Sequence, residues 1–256
     1  MALQGTRLQG IGRVTETVTV GEEWTTLGTY DFTAVGAADW RTSGSAVVEG
    51  VTFTAINGGK CATTFGPDGS TGIRIVQTNN GTIASNNSPG IETSLSDFGT
   101  FTDDDELCVD LRISGISSGD FGRLVAVLLD TTYISSGVMY RSSPSPGQWE
   151  TGSVVSASQY TDFSNAVTDS SDFVIQVIYT ASGAVIFDRG SWTGAFPADV
   201  GGTVADAIGT FSSAARTNYK PRLSASTFRV ATYKSATSAT DVTIHALRIR
   251  RREKGA

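Results

Sequence analysis

The alternation of apolar and polar positions along this chain is that of β-strands almost from end to end. In FVIQVIYTASGAVIFDRGSW (173–192), Phe173, Ile175, Val177 and Tyr179 share one face, while Val174 and Ile178 add apolar bulk to the other. The pattern breaks at Ala181-Ser182-Gly183 and resumes from Ala184 to Phe187, which reads as a β-hairpin. Apolar residues on both faces predict that this hairpin is central, with a covering layer on each side.

The rest of the chain is read around that hairpin. Thr26 to Thr33 predicts a first strand. Ala46 to Ile56 and Lys60 to Phe65 predict a pair joined at Asn57-Gly58-Gly59, a strong turn signal. Gly72 to Thr78 follows the turn Gly66-Pro67-Asp68-Gly69. Leu107, Val109, Leu111 and Ile113 alternate with Cys108, Asp110 and Arg112, predicting a strand with one buried and one polar face. Arg123 to Asp130 is apolar on both faces, and Gly137 to Tyr140 and Gln148 to Val155 come after it. Ser156 to Ser171 is polar and loop-like, and 193–219 is the least regular stretch, with room for one short helix near Val204 to Ile208. Thr227 to Tyr233 and Asp241 to Arg250 close the chain. Frequent short strands without crossover helices predict an all-β, antiparallel jelly-roll β-sandwich.

Residues 1–23 differ from the rest. Their apolar positions, including Leu8, Ile11, Val14, Val18 and Val20, are spaced by Gly, Thr and Arg, and VTETVTV (14–20) alternates cleanly. An isolated strand of that kind needs a partner, in its own sheet or in a neighbouring chain. The expected organisation is therefore an N-terminal extended arm (1–23) and one sandwich domain (24–256) ending in a basic C-terminal tail.

Composition narrows the functional classes. A chain of 256 residues can bury a core without disulfides or metal. Charged residues are 17% of the chain, below the ~25% usual for soluble domains. A net charge of −6 supplies no global field for nucleic acid. The exception is the basic end, Arg248, Arg250, Arg251, Arg252 and Lys254, which is too short to hold many phosphates and is expected to meet an acidic surface. Cys61 and Cys108 both stand in strand-like runs, where a free cysteine serves as a small core residue. The N-terminus has no signal-peptide core, and the longest apolar run, Leu124 to Leu129, is too short to span a bilayer. The expectation is synthesis in a host cytoplasm, with no membrane insertion.

The order of elements resembles the concanavalin-A-like sandwich of the lectin/glucanase and laminin-G type. The pieces that carry the resemblance are YDFTAVGAADW (30–40), VVEGVTFTA (47–55), the hairpin at 173–188 and VTIHALRI (242–249). The resemblance implies that the first and last strands lie side by side. Glycosidases of this fold carry an E-x-D-x-E strand, because two carboxylates must flank the bond they cut; no such triplet occurs. Alginate-lyase-like sandwiches pair Gln and His on one strand, whereas Gln176-Val177-Ile178 has no His. The single histidine, His245, is expected as an ordinary strand residue. The acidic run Asp103-Asp104-Asp105-Glu106 is expected as a solvated turn, with calcium as the minor alternative. One His and two separated Cys exclude a four-ligand His/Cys zinc site. No catalytic residues, metal or cofactor are expected.

The chain also resembles structural proteins of tailed bacteriophages, in its arm, its Gly/Ser/Thr-rich sandwich and its few charges. That resemblance implies a virion protein, a head decoration (cement) protein bound to capsid protein and to copies of itself in a symmetric oligomer such as a trimer. Leu8, Ile11, Val14, Val18 and Val20 would then make the arm contacts, and Arg248, Arg250, Arg251 and Arg252 would complement acidic capsid surface. The alternative is a tail-fibre or adhesin domain binding glycans through Trp149, Tyr160 and Trp192, which lie in or beside loops. Trp24 and Trp40, flanking the first strand, are expected to pack.

Overall fold

Sixteen strands are found among the residues described by the structure, a computed structural model covering 23–35, 44–56, 63–67, 72–77, 90–115, 124–129, 136–141, 148–152, 161–166, 172–180, 183–201, 209–212, 223–225, 227–233 and 240–254. In chain order they are β1 (Thr25–Asp31), β2 (Ser45–Val48), β3 (Val51–Ile56), β4 (Thr63–Pro67), β5 (Ile73–Gln77) and β6 (Gly90–Ser94). Next come β7 (Glu106–Ser114), β8 (Leu124–Leu129), β9 (Ser136–Arg141), β10 (Gln148–Gly152) and β11 (Thr161–Ala166). The last five are β12 (Phe173–Thr180), β13 (Gly183–Ser191), β14 (Gly209–Ser212), β15 (Thr227–Tyr233) and β16 (Thr240–Arg252). All pair antiparallel, in two sheets. The first runs β14-β13-β12-β7-β16-β5-β4, with β1 also on β16; the second runs β11-β10-β9-β8-β15-β6-β3-β2.

Alternation explains why these two sheets stack. The inward residues Leu107, Val109, Leu111 and Ile113 of β7, Ile175 and Val177 of β12, and Leu247 and Ile249 of β16 are fully buried. They share one core with Phe53, Ile91, Phe228 and Val230 from the second sheet. Phe53 is the hub of its aromatic part, with ring centroids 5.4 Å from Tyr30 and 5.0 Å from Phe32, both edge to face. The architecture is the antiparallel β-sandwich that the pattern predicts.

The hairpin 173–192 forms as expected, with Val177 opposite Ile186 and Tyr179 opposite Ala184. It is not the middle of its sheet, however; that place belongs to β7 and β16. The first and last strands are adjacent, from Thr25 opposite Arg251 to Asp31 opposite Ala246. The pair expected around Asn57-Gly58-Gly59 does not exist. Instead β2 and β3 form a hairpin within 45–56, turning at Glu49 and Gly50 with φ of 48° and 81°. Two successive positive φ angles make the tight turn whose twist matches the strands. β4 belongs to the other sheet, with β5. Two short strands, β11 and β14, arise where the pattern predicts loop or irregular chain, and β6 stands in a stretch for which no element was predicted. β11 and β14 pair with the strands that precede them, β10 and β13, whereas β6 pairs with the distant β15.

The closing strand predicted from Asp241 to Arg250 forms and runs on to Arg252, so Arg248, Arg250, Arg251 and Arg252, expected also as a basic tail, all stand in β16. The arm, with Leu8, Ile11, Val14, Val18 and Val20, the helix expected near Val204 to Ile208, Trp40 and Cys61 lie outside the described residues. Among the described residues no helix is long and apolar enough to cross a membrane.

Candidate functional site

The outer face of the first sheet, away from the core, is also covered. Register places Gln176, Asp110 and Arg248 in one row across β12, β7 and β16, and Ile178, Cys108 and Arg250 in the next. The period of two sends all six to the face opposite Val109 and Val177. Asp110 is fully buried at the centre. Its carboxylate accepts from Gln176 Nε2 at 2.6 Å, Arg248 Nε at 2.8 Å and Arg250 Nη2 at 3.1 Å. β7 thus has two buried faces, where one buried and one polar face was predicted.

The cover is residues 192–201, a strap that leaves β13 and crosses back over this face. Polar side chains of the sheet hold it by its backbone. Arg248 donates to the Pro197 carbonyl, and Arg250 donates to those of Ala198 and Asp199, at 3.0 and 3.1 Å. Gln176 completes the set, donating to the Asp199 carbonyl at 3.4 Å and accepting from the Gly201 N–H. At the far end of the strap the Trp192 N–H donates to the Asp172 carbonyl at 2.9 Å. The Arg112 guanidinium lies 4.5 Å over the Trp192 ring while its Nε donates to Asp172 at 2.8 Å. The Trp192 ring in turn stands edge to face against Phe196 at 5.1 Å.

A surface latch closes the other end. Arg189 grips the Asp199 carboxylate with two bonds of 2.7 Å and donates to the Gly201 carbonyl at 2.7 Å. The Arg189 hydrogen bond is the main reason that the Asp199 carboxyl titrates below its ordinary range. Between strap and sheet an open depression of about 410 Å³ is lined by Val174, Arg189, Ser191, Thr193, Ala195, Phe196 and Pro197. Cys108 is a free thiol in the row beneath the strap. Burial, reinforced by Asp110, raises its pKa far above the ordinary thiol range, so it stays protonated and unreactive.

Of the expected glycan-binding aromatics, Trp192 is half-buried on the strap. The backbone of Trp149 lies in β10 of the second sheet, opposite Tyr140, and its side chain and Tyr160 lie outside the described residues. The four arginines lie in β16, each with partners in the same molecule. Arg248 and Arg250 hold Asp110 and the strap, and Arg252 donates to Glu106 at 2.6 Å with its guanidinium 4.9 Å over Trp24. Arg251 pairs with Glu253, and Lys254 lies 3.1 Å from Glu106. The acidic run is divided among separate partners: Asp103 accepts from Ser224 and Asp105 from the Thr102 N–H. Among the described residues no three His, Cys, Asp or Glu side chains are placed to hold a metal ion. His245 sits buried in a bulge of β16, its Nε2 2.7 Å from Ser114 Oγ.

Pattern reading passed over Asp110, Gln176, Arg112 and Arg189 as site residues. A signal was there: a lone Gln in FVIQVIYT, an Asp in LCVDLRI, and arginines at alternate positions of the closing strand. Polar residues at facing positions of apolar strands are a network when the strands are neighbours, and only pairing reveals that they are.

No protein-family model matches the chain, and no curated protein matches it in sequence. Solved structures do match it in fold. A protein of unknown function from Shewanella oneidensis MR-1 is 12% identical, with 98% of this chain and 100% of that one covered at a TM-score of 0.50. A family 7 alginate lyase is 12% identical over 75% of this chain and 83% of its own, at a TM-score of 0.48. A Trypanosoma rangeli sialidase is 13% identical over 90% of this chain and 31% of its own, at 0.46. Nothing in these comparisons supports the virion expectation. At such identities the likeness is one of fold alone.

Proposed function

We propose that this chain is a carbohydrate-binding β-sandwich protein that does not cleave its ligand. The observation that carries the reading is the Trp192–Phe196 aromatic pair beside an open depression that also presents Ser191, Thr193 and Arg189. Sugars offer apolar C–H faces and a rim of hydroxyls. An aromatic edge with nearby hydroxyl and guanidinium donors matches both. The non-cleaving half of the reading is supported by where the carboxylates around the depression are spent among the described residues. Asp110, Asp172 and Asp199 each serve an arginine. Hydrolysis of a glycosidic bond needs two carboxyl groups free to act on opposite sides of it.

The test is a glycan array probed with the native protein and with Trp192→Ala. The variant is expected to lose tenfold or more in binding and to keep its fold, because Trp192 contacts the outer face and not the core. An array with no hits for the native protein would sink the reading, and reducing ends released from any bound polysaccharide would overturn its non-catalytic half.

The second reading, a head decoration protein acting through the arm, gains no support from the geometry of the sandwich. It is separated by labelling particles from the source with antibody to the recombinant sandwich. Regular labelling of an icosahedral head would favour decoration, and labelling at a tail tip would fit a glycan-binding fibre.

A further inference from the structure

Under the strap the charges do not balance. Among the described residues Asp110 is the one carboxylate in contact with the guanidinium groups of Arg248, partly buried, and Arg250, fully covered, which leaves a net positive charge under the strap. The excess is met from the strap, by the carbonyl dipoles of Pro197, Ala198 and Asp199, by the Phe196 ring 5.1 Å from the Arg248 guanidinium and, at longer range, by the Asp199 carboxylate. Arg250, 3% exposed, also has its Nε buried without a hydrogen-bond partner. A buried cation held by neutral acceptors, with one donor left over, is a poor resting place for charge and a good one for an anion.

The strap that covers this face is held at its surface end by Arg189, which pairs with the exposed carboxylate of Asp199 and donates to the Gly201 carbonyl. Exposed pairs of that kind are weak. Gly194 and Gly201 have φ of 101° and 73°, backbone conformations at which a side chain would be strained, so the strap bends where glycine stands.

We propose that the strap is a gate, and that its carbonyls stand in for the oxygens of an anionic sugar that binds Arg248, Arg250 and Gln176 when it lifts. The ligand class is a carboxylate- or sulfate-bearing polysaccharide. This ligand assignment rests on the carbohydrate-binding reading above; the gate itself does not.

Cys108 reports on the gate, since it lies beneath the strap beside Ile178 and Arg250. The chain has two cysteines, so Cys61→Ser leaves Cys108 as its only thiol. In that background, labelling with a thiol reagent is expected to run faster than global unfolding. Asp199→Ala is expected to speed it about two- to fivefold, the weight of an exposed ion pair. Arg189→Gln breaks the same latch with the opposite change of charge and must speed labelling too, which a purely electrostatic effect on the thiol would not do. Labelling that tracks global unfolding in all three proteins overturns the gate, whatever sugars bind.

Binding is then measured with polygalacturonate, dextran sulfate and dextran. If the anionic face is the site, Asp199→Ala tightens polygalacturonate or dextran sulfate by about the factor by which it opens the strap, because apparent affinity follows the open fraction, and Arg189→Gln, which also removes a cation and a donor of the depression, tightens them by less than its labelling factor. The polymer that responds tells carboxylate from sulfate. Unchanged affinity for both polyanions, or equal tightening of neutral dextran, overturns the ligand assignment while leaving the gate and the Trp192 site standing.

Discussion

At the scale of single residues, Asp110 decides the outer face. A carboxylate removed from water is costly unless several donors meet it, and here a Gln and two Arg do so. Asp110→Ala is expected to cost about 3–5 kcal/mol, because it leaves the buried guanidinium of Arg250 and the partly buried one of Arg248 without their counter-charge. Urea unfolding would read that loss, and a midpoint within experimental error of the native value would show that the strap carbonyls alone suffice. That Asp110 is strand-bound was legible from LCVDLRI. That it is buried was not, since its donors Arg248 and Arg250 stand more than a hundred residues away.

Among elements, the strap and β16 carry the site. β16 is thirteen residues long and lends its inward positions to the core and its outward arginines to Asp110 and to the strap. Alternation alone predicts that division. A run of arginines near a chain end nevertheless reads as a tail until its strand partners, β7 and β1, are known. The strap has no periodicity at all, being held by its own carbonyls, and backbone acceptors leave no mark in a sequence. Its latch is expected to depend on pH. The Asp199 carboxyl is lowered by Arg189 first and by the charge of Arg250 as well. A lowered folded pKa gives stabilisation that is fully present above the unfolded value of ~3.9 and lost as pH falls through the folded value. Trp192 fluorescence should therefore report strap loosening below about pH 4. Asp199→Asn should remove that part of the titration; an identical acid profile in the variant would show that the latch does not hold the strap.

For the molecule as a whole, the two faces of the first sheet do different work. The inner face, closed against the second sheet, holds the domain together, whereas the outer face carries the site. Phe53→Ala, which empties a ring packed against Tyr30, Phe32 and Phe98, is expected to cost about 3–5 kcal/mol by urea unfolding and to leave glycan binding by the remaining folded protein unchanged. Trp192→Ala should do the reverse. If both variants lost stability and binding together, the two faces would not be separable.

The division between chain order and three-dimensional arrangement follows from the range of the forces. Side-chain alternation acts over a few residues, so the strands, their inward faces and the antiparallel all-β class can be read from the chain, as can the hairpin at 173–192. Pairing between strands acts over the whole chain. Only in three dimensions was β4 (Thr63–Pro67) separated from β2 and β3 into another sheet, and only there did β16 come to lie between β7 and β5. The site belongs to that second category: Asp110, Gln176, Arg248 and Arg250 meet because β12, β7 and β16 are neighbours, and a strap of ten residues then closes over the charge they enclose.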